Sequence, residues 1–70
     1  MTNTRSELLK VLGDLSDARP EMRMGQLIAN LATLARGAAV ESIWDAEDEE
    51  LLAAARRQAD VLRARRAGVT

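Results

Sequence analysis

The segment PEMRMGQLIANLATLARGA, residues 20–38, decides the fold of this chain of 70 residues. Its apolar side chains recur at helical spacing and do not alternate as they would in a strand. We expect this second helix to span residues 20–36, with Pro20 in its first turn and Gly37 as a left-handed cap. One narrow arc of the helix then holds Met24, Leu27, Ile28, Leu31, Leu34, Ala35 and Ala38.

The flank beside this apolar arc carries Gln26, Asn30 and Thr33 and no charged residue. A helix that faces water usually places Lys, Glu or Arg there. We therefore expect the second helix to be covered on more than one side, by its own chain or by another chain. In the first case Gln26 and Asn30 bond to loop backbones, and in the second they belong to a docking surface. If all three residues lay open to solvent in a solitary chain, the case for a docking partner made from this helix would collapse.

The first helix is predicted over residues 4–16. Thr4 and Glu7 have the spacing of a capping box, in which each side chain bonds to the backbone amide of the other residue. Its apolar residues follow at helical spacing and comprise Leu8, Leu9, Val11, Leu12 and Leu15.

The third helix is predicted over residues 45–66, with Asp45 as its N-cap. Carboxylates crowd its first turns and arginines its last, which is the arrangement that the helix dipole favours. Its inner face comprises Leu51, Leu52, Ala55, Ala59 and Leu62. Three apolar faces and short connections predict an all-α fold, a small three-helix bundle in which residues 1–70 form a single domain.

The composition argues against catalysis and against cofactors. The chain has no His and no Cys, which excludes imidazole and thiol chemistry and the usual zinc sites. The acidic run at residues 45–50 offers oxygen ligands for calcium, but it lacks the central glycine of an EF-hand loop. We expect no enzyme activity, no cofactor and no metal, and we interpret the run as a helix start that complements the dipole.

Neither a targeting segment nor a membrane segment is predicted. Residues 1–10 contain no apolar core of the kind found in signal peptides. The longest uncharged stretch, residues 24–35, is about half a membrane span and contains polar residues. We expect a cytoplasmic protein that does not contact a membrane.

Two motifs resemble those of a set of small helical bacterial proteins. The first is RMGQLIAN at residues 23–30, and the second joins SIWD at residues 42–45 to EDEELL at residues 47–52. Those proteins pair an R-[aromatic or Met]-G-Q-L-I-x-N helix with an aromatic-x-x-E-D-E-E-L-L helix. The resemblance covers residues 20–55, and Met24 stands where an aromatic residue is expected. It implies a small helical protein and no established activity.

The function predicted from these features is a protein–protein interaction module without enzyme activity, which binds a second copy of itself or a partner as immunity proteins, antitoxins and adaptors do. Two interpretations of Trp44 remain open: with Ile43 it plugs one end of the bundle, or it anchors a partner, since tryptophan is enriched at interface hot spots. The predicted partner-binding residues are Arg23, Met24, Gln26, Leu27, Asn30, Leu31 and Trp44.

The alternative is a small regulator that binds nucleic acid through arginines near the C-terminus. Ten basic and 11 acidic residues, with a pI of about 5.3, disfavour a dedicated phosphate binder. A helix-turn-helix arrangement would insert the acidic start of the third helix into the major groove, where phosphates repel it. The arginines that could contact nucleic acid are Arg56, Arg57, Arg63, Arg65 and Arg66. Binding through them would weaken steeply as salt rises, whereas apolar docking would not.

Overall fold

The computed structural model describes residues 3–66, and four helices account for most of them. They are α1 (Thr4–Ala18), α2 (Met24–Arg36), α3 (Ser42–Asp45) and α4 (Asp48–Arg66). The all-α prediction is confirmed, and the described residues form no strand. The predicted count of three is one short, because the connection after α2 contains the single helical turn α3. Within this part of the chain, no helix is both long enough and apolar enough to cross a bilayer.

The three long helices pack with α4 against both α1 and α2, while α3 packs on α2. Ion pairs between Arg5 and Asp48 (2.8 Å) and between Glu7 and Arg56 (2.6 Å) show that α1 and α4 run in the same direction. Arg36, the last residue of α2, lies 3.4 Å from Glu50 near the start of α4, so α2 runs the opposite way.

Solvent-exposed ion pairs of this kind add little stability, at most about 1 kcal/mol each. Hydrogen bonding and charge attraction from Asp48 raise the pKa of the Arg5 guanidinium above its ordinary value.

The core is built from leucines and alanines. Ala54 and Ala55 have no exposed surface, and their small side chains allow α4 to pack closely against its neighbours. Around them, partly buried residues such as Val11 and Leu62 complete the packing. The buried residues of the cluster are Leu8, Leu15, Leu27, Leu31, Leu52, Ala54 and Ala55. A core without any aromatic side chain is small, and every leucine in it therefore carries a large share of the stability.

The start of α1 differs from the predicted capping box. Asn3 is the N-cap, and its side-chain oxygen accepts hydrogen bonds from the amides of Arg5 (2.9 Å) and Ser6 (3.3 Å). Thr4 is already inside the helix, and Glu7 pairs with Arg56 of α4. The helix also continues past residue 16 to Ala18, because the backbone turns only after it, at Arg19 and Pro20.

We expect Asn3→Ala to destabilise the protein by about 1 kcal/mol, since two amides of the first turn lose their acceptor. In a domain of this size, that corresponds to a melting temperature lower by about 4–8 °C. Thermal unfolding followed by circular dichroism measures the change. Thr4→Ala is the control and should have little effect; a larger loss from Thr4→Ala than from Asn3→Ala would restore the capping box predicted from the sequence.

Helix α2 begins at Met24 and not at Pro20. Residues 19–22 form a turn that is closed by a hydrogen bond from the Met22 amide to the Arg19 carbonyl oxygen (3.0 Å). Proline is favoured at the second position of such a turn because its φ is preset, so here it closes the connection and does not start the helix. At the other end Gly37 has φ 102° and ψ 174°, a positive φ as predicted but in an extended region and not the left-handed helical one.

Helix α4 begins at Asp48, so the predicted N-cap Asp45 is wrong. Asp45 ends α3, and its carbonyl oxygen accepts a hydrogen bond from Arg36 (3.0 Å). The amide of Glu47 donates to the Glu50 side chain (2.8 Å), which is one half of a capping box. The acidic run is therefore divided between the end of α3 and the start of α4.

Candidate functional site

The uncharged flank of α2 is open to solvent. Gln26, Asn30 and Thr33 are all exposed in the single chain, so the expectation that the chain itself covers this flank is wrong. Gln26 accepts a hydrogen bond from the Arg23 amide (3.2 Å) just before the helix, and Asn30 donates to the Met22 sulfur (3.8 Å). Because these contacts leave the polar flank wet, it gives no argument for a partner.

A groove with a volume of about 370 Å³ adjoins this flank and includes Asn30 and Thr33 in its lining. We call it the α2 groove. It is bounded by the end of α1, the turn after it, one side of α2 and the second half of α4. Leu31 forms part of its floor, whereas Leu34 stands at its rim with 43% of its surface exposed. Its apolar lining comprises Leu15, Met22, Leu27, Leu31, Leu34 and Leu62.

Four polar residues complete the lining, namely Arg19, Asn30, Thr33 and Gln58. Arg19 is the only charged one among them, and the described residues give it no carboxylate within ion-pair distance. The α2 groove is therefore apolar on its floor and positive at one side. An occupant that suits it has an apolar side chain and a nearby negative charge.

The structure divides the predicted partner-binding residues. Leu27, Asn30 and Leu31 line the α2 groove. Arg23, Met24 and Gln26 are exposed around the first turn of α2 and do not line it. Trp44 lies on the separate turn α3.

The sequence pattern does not reveal that Leu15, Met22 and Leu62 line a groove, because a groove between separate segments depends on how they pack. Leu34 was recognisable in the apolar arc of the second helix, but the sequence did not distinguish it from the core leucines. Its helical position relative to the packed neighbours places it at the edge of the groove.

Trp44 does not plug the bundle, since 83% of its surface is exposed. Ser42 is the buried residue of α3, and its hydroxyl donates a hydrogen bond to the Gly37 carbonyl oxygen (2.6 Å). Residues two apart lie on opposite sides of a helix with 3.6 residues per turn. Because Ser42 faces inward, Trp44 must face outward, and Ile43 between them is also exposed.

Residues 40–47 thus form an exposed apolar corner with an acidic border, which we call the Trp44 corner. Its apolar part consists of Val40, Ile43 and Trp44, all exposed. Its border consists of Glu41, Asp45 and Glu47, which are also exposed. In the described part of the chain none of these three carboxylates takes part in an ion pair.

Among the arginines considered for nucleic acid, Arg56 and Arg63 line the same pocket between α1 and α4, and both are engaged with carboxylates. Arg56 pairs with Glu7, and Arg63 pairs with Asp60 (3.0 Å). Arg57 and Arg65 are exposed. Arg66 is the last residue of α4, and its side chain lies outside the described residues.

Within residues 3–66, no three carboxylates come together in a group that could hold a metal ion. The comparisons with known proteins return nothing: no family model, no curated protein and no solved structure matches this chain.

Proposed function

We propose that this chain is a helical protein–protein interaction module without enzyme activity, and that it binds through the α2 groove. One observation carries the proposal: a small bundle leaves an apolar groove of about 370 Å³ open beside its most regular apolar helix. Binding sites in proteins are typically concave and lined mostly by apolar side chains. Leu34 at the rim and Leu27 and Leu31 on the floor supply the apolar contact, and Asn30 supplies direction.

Two features of the chain support binding and not catalysis. The sequence offers no histidine or cysteine, so its serines and threonines have no imidazole base to activate them. The groove lining brings together leucines, a methionine and neutral polar groups with a single cation. Such a lining fixes the orientation of an occupant through a few polar contacts, which is the usual composition of a binding site.

The alternative, a nucleic-acid-binding regulator, has weaker support. Two of its arginines are engaged with carboxylates of the same chain, so phosphate binding would have to displace Glu7 and Asp60. The first turn of α4 carries Asp48, Glu49 and Glu50, which repel a phosphate backbone.

The proposal predicts protein adducts at the groove in the native host. A photo-crosslinking amino acid at position 34 should give discrete protein adducts, because Leu34 stands at the rim of the site. The matched control is position 53, since Ala53 is exposed on α4 and lies outside the groove lining. Electrophoresis and mass spectrometry identify the adducts. The same pattern at both positions, or no adduct at position 34, would contradict the proposal.

A further inference from the structure

We propose that the occupant of the α2 groove is the Trp44 corner of a second copy of this chain. This inference rests on the proposed function and names the partner. In the described residues, the chain displays both an apolar groove and an apolar projection of matching character. The two features are separate surfaces of one molecule. Over the described part of the chain, the groove has no apolar side chain inserted in it, and the Trp44 corner has no apolar surface that buries it.

The groove cannot receive the Trp44 corner of its own chain as folded. No residue from 40–47 contributes to its lining. Trp44 is exposed on α3, because buried Ser42 on the opposite side of that helical turn holds it outward. An intramolecular contact would require α3 to leave its place on α2. The contact is therefore between molecules.

Charge favours this pairing. The corner carries the carboxylates of Glu41, Asp45 and Glu47 around its apolar residues and no basic residue between positions 40 and 47. The groove carries the cation Arg19 and no acidic residue. Insertion of the corner brings carboxylates towards Arg19 and places the indole of Trp44 where the guanidinium can stack on it. Pairing of corner with corner would instead bring carboxylates together, and pairing of groove with groove would bring two Arg19 side chains together.

The chemistry of the two surfaces also agrees. An indole buries about 150–250 Å² when it is enclosed, and tryptophan is among the residues most enriched at the centre of interfaces. The floor of leucines supplies the apolar contact and rim residue Leu34 can close over one side of the ring. Asn30, an exposed residue of the groove lining, can accept a hydrogen bond from the inserted segment or donate one to it.

Because projection and groove are different surfaces, each single contact is heterologous. Two copies that insert Trp44 into each other form a closed dimer with two such contacts, whereas insertion in one direction only builds a growing chain. Sedimentation velocity distinguishes these assemblies by their limiting size.

The chain has a single tryptophan, so its fluorescence reports directly on the proposed contact. On concentration of the wild-type protein between about 1 μM and 1 mM, we expect an increase in sedimentation coefficient together with a blue shift of the emission. Trp44→Ala and Leu34→Asp should each weaken self-association by at least about thirty-fold. Leu9→Asp changes an exposed leucine on α1 outside both surfaces and should leave association unchanged.

Mixing the two defective variants is the decisive test. Leu34→Asp keeps its tryptophan but has a damaged groove, while Trp44→Ala keeps its groove and contributes no tryptophan fluorescence. An equimolar mixture should associate again, and the tryptophan emission of Leu34→Asp should shift to shorter wavelength. A symmetric interface of another kind gives no rescue on mixing, so a mixture that stays dissociated overturns the inference.

The failure of this inference is distinguishable from failure of the proposed function. If the wild-type protein stays monomeric and its emission is constant up to about 1 mM, the second-copy occupant is wrong. Adducts of position 34 with a different host protein would then keep the interaction module while replacing the occupant. If position 34 gives no adduct either, both proposals fail.

Discussion

Leu31→Ala should lose about 3 kcal/mol of unfolding free energy and leave little folded protein at physiological temperature. Leu31 is only 2% exposed and is the largest side chain of the described residues that is fully enclosed. Its truncation removes apolar burial and leaves a cavity between α2 and its neighbours. A single core in a chain of this size rarely yields more than about 3–5 kcal/mol of net stability, so the loss approaches the total.

Urea unfolding followed by far-ultraviolet circular dichroism measures this change as a shift in the midpoint. The matched control is Leu9→Ala, since Leu9 is 60% exposed and alanine is at least as good a helix former. We expect it to change stability by no more than about 0.5 kcal/mol. Similar losses from the two variants would mean that α2 does not provide the centre of the core.

Ala55→Leu should destabilise the protein by about 1–3 kcal/mol, although leucine is a strong helix former and more apolar than alanine. Ala55 has no exposed surface, and the residues around it belong to the one leucine-rich cluster. The extra carbons have no space unless α4 moves away from its neighbours. Movement of α4 would also widen the α2 groove, because Gln58 and Leu62 of the same helix form one of its sides.

Ala53→Leu provides the control for helix propensity and hydrophobicity, because Ala53 is exposed on the same helix. It should unfold at nearly the wild-type urea concentration. The difference in unfolding free energy between the two variants isolates the cost of packing a larger side chain at position 55. If Ala55→Leu is as stable as Ala53→Leu, the close approach of α4 described above does not exist in solution.

Helical spacing was enough to predict that the chain is all-α, because the period of apolar residues is a local property. The first and last residues of the helices were less predictable, since neighbouring residues can each serve as the cap. Asn3 and Thr4 are both good N-caps, and Pro20 suits a turn as well as a first helical turn. The local pattern alone does not decide between such candidates. At the start of α1 the tertiary structure decides, because Glu7 pairs with Arg56 of α4 and is then not the capping partner of Thr4.

The candidate site was predicted in part. Leu27, Asn30 and Leu31 line the groove, and all three came from the pattern of one helix. The absence of charge beside them predicts that this flank of α2 is covered. The chain itself does not cover it, because uncharged polar side chains such as Gln26 are also stable in water. The exposure of Trp44 followed from the inward position of Ser42, a hydrogen-bonded contact with Gly37 that no periodicity reveals.

The sequence by itself determined that the chain has three long helical segments and which side chains are apolar, since both depend on residues within a few positions of one another. The tertiary structure alone decided that α1 and α4 run in parallel, that a groove opens between three segments, and that Trp44 points away from the core. These features depend on how distant segments pack, and the packing free energy is a sum over contacts between residues that lie far apart in the chain.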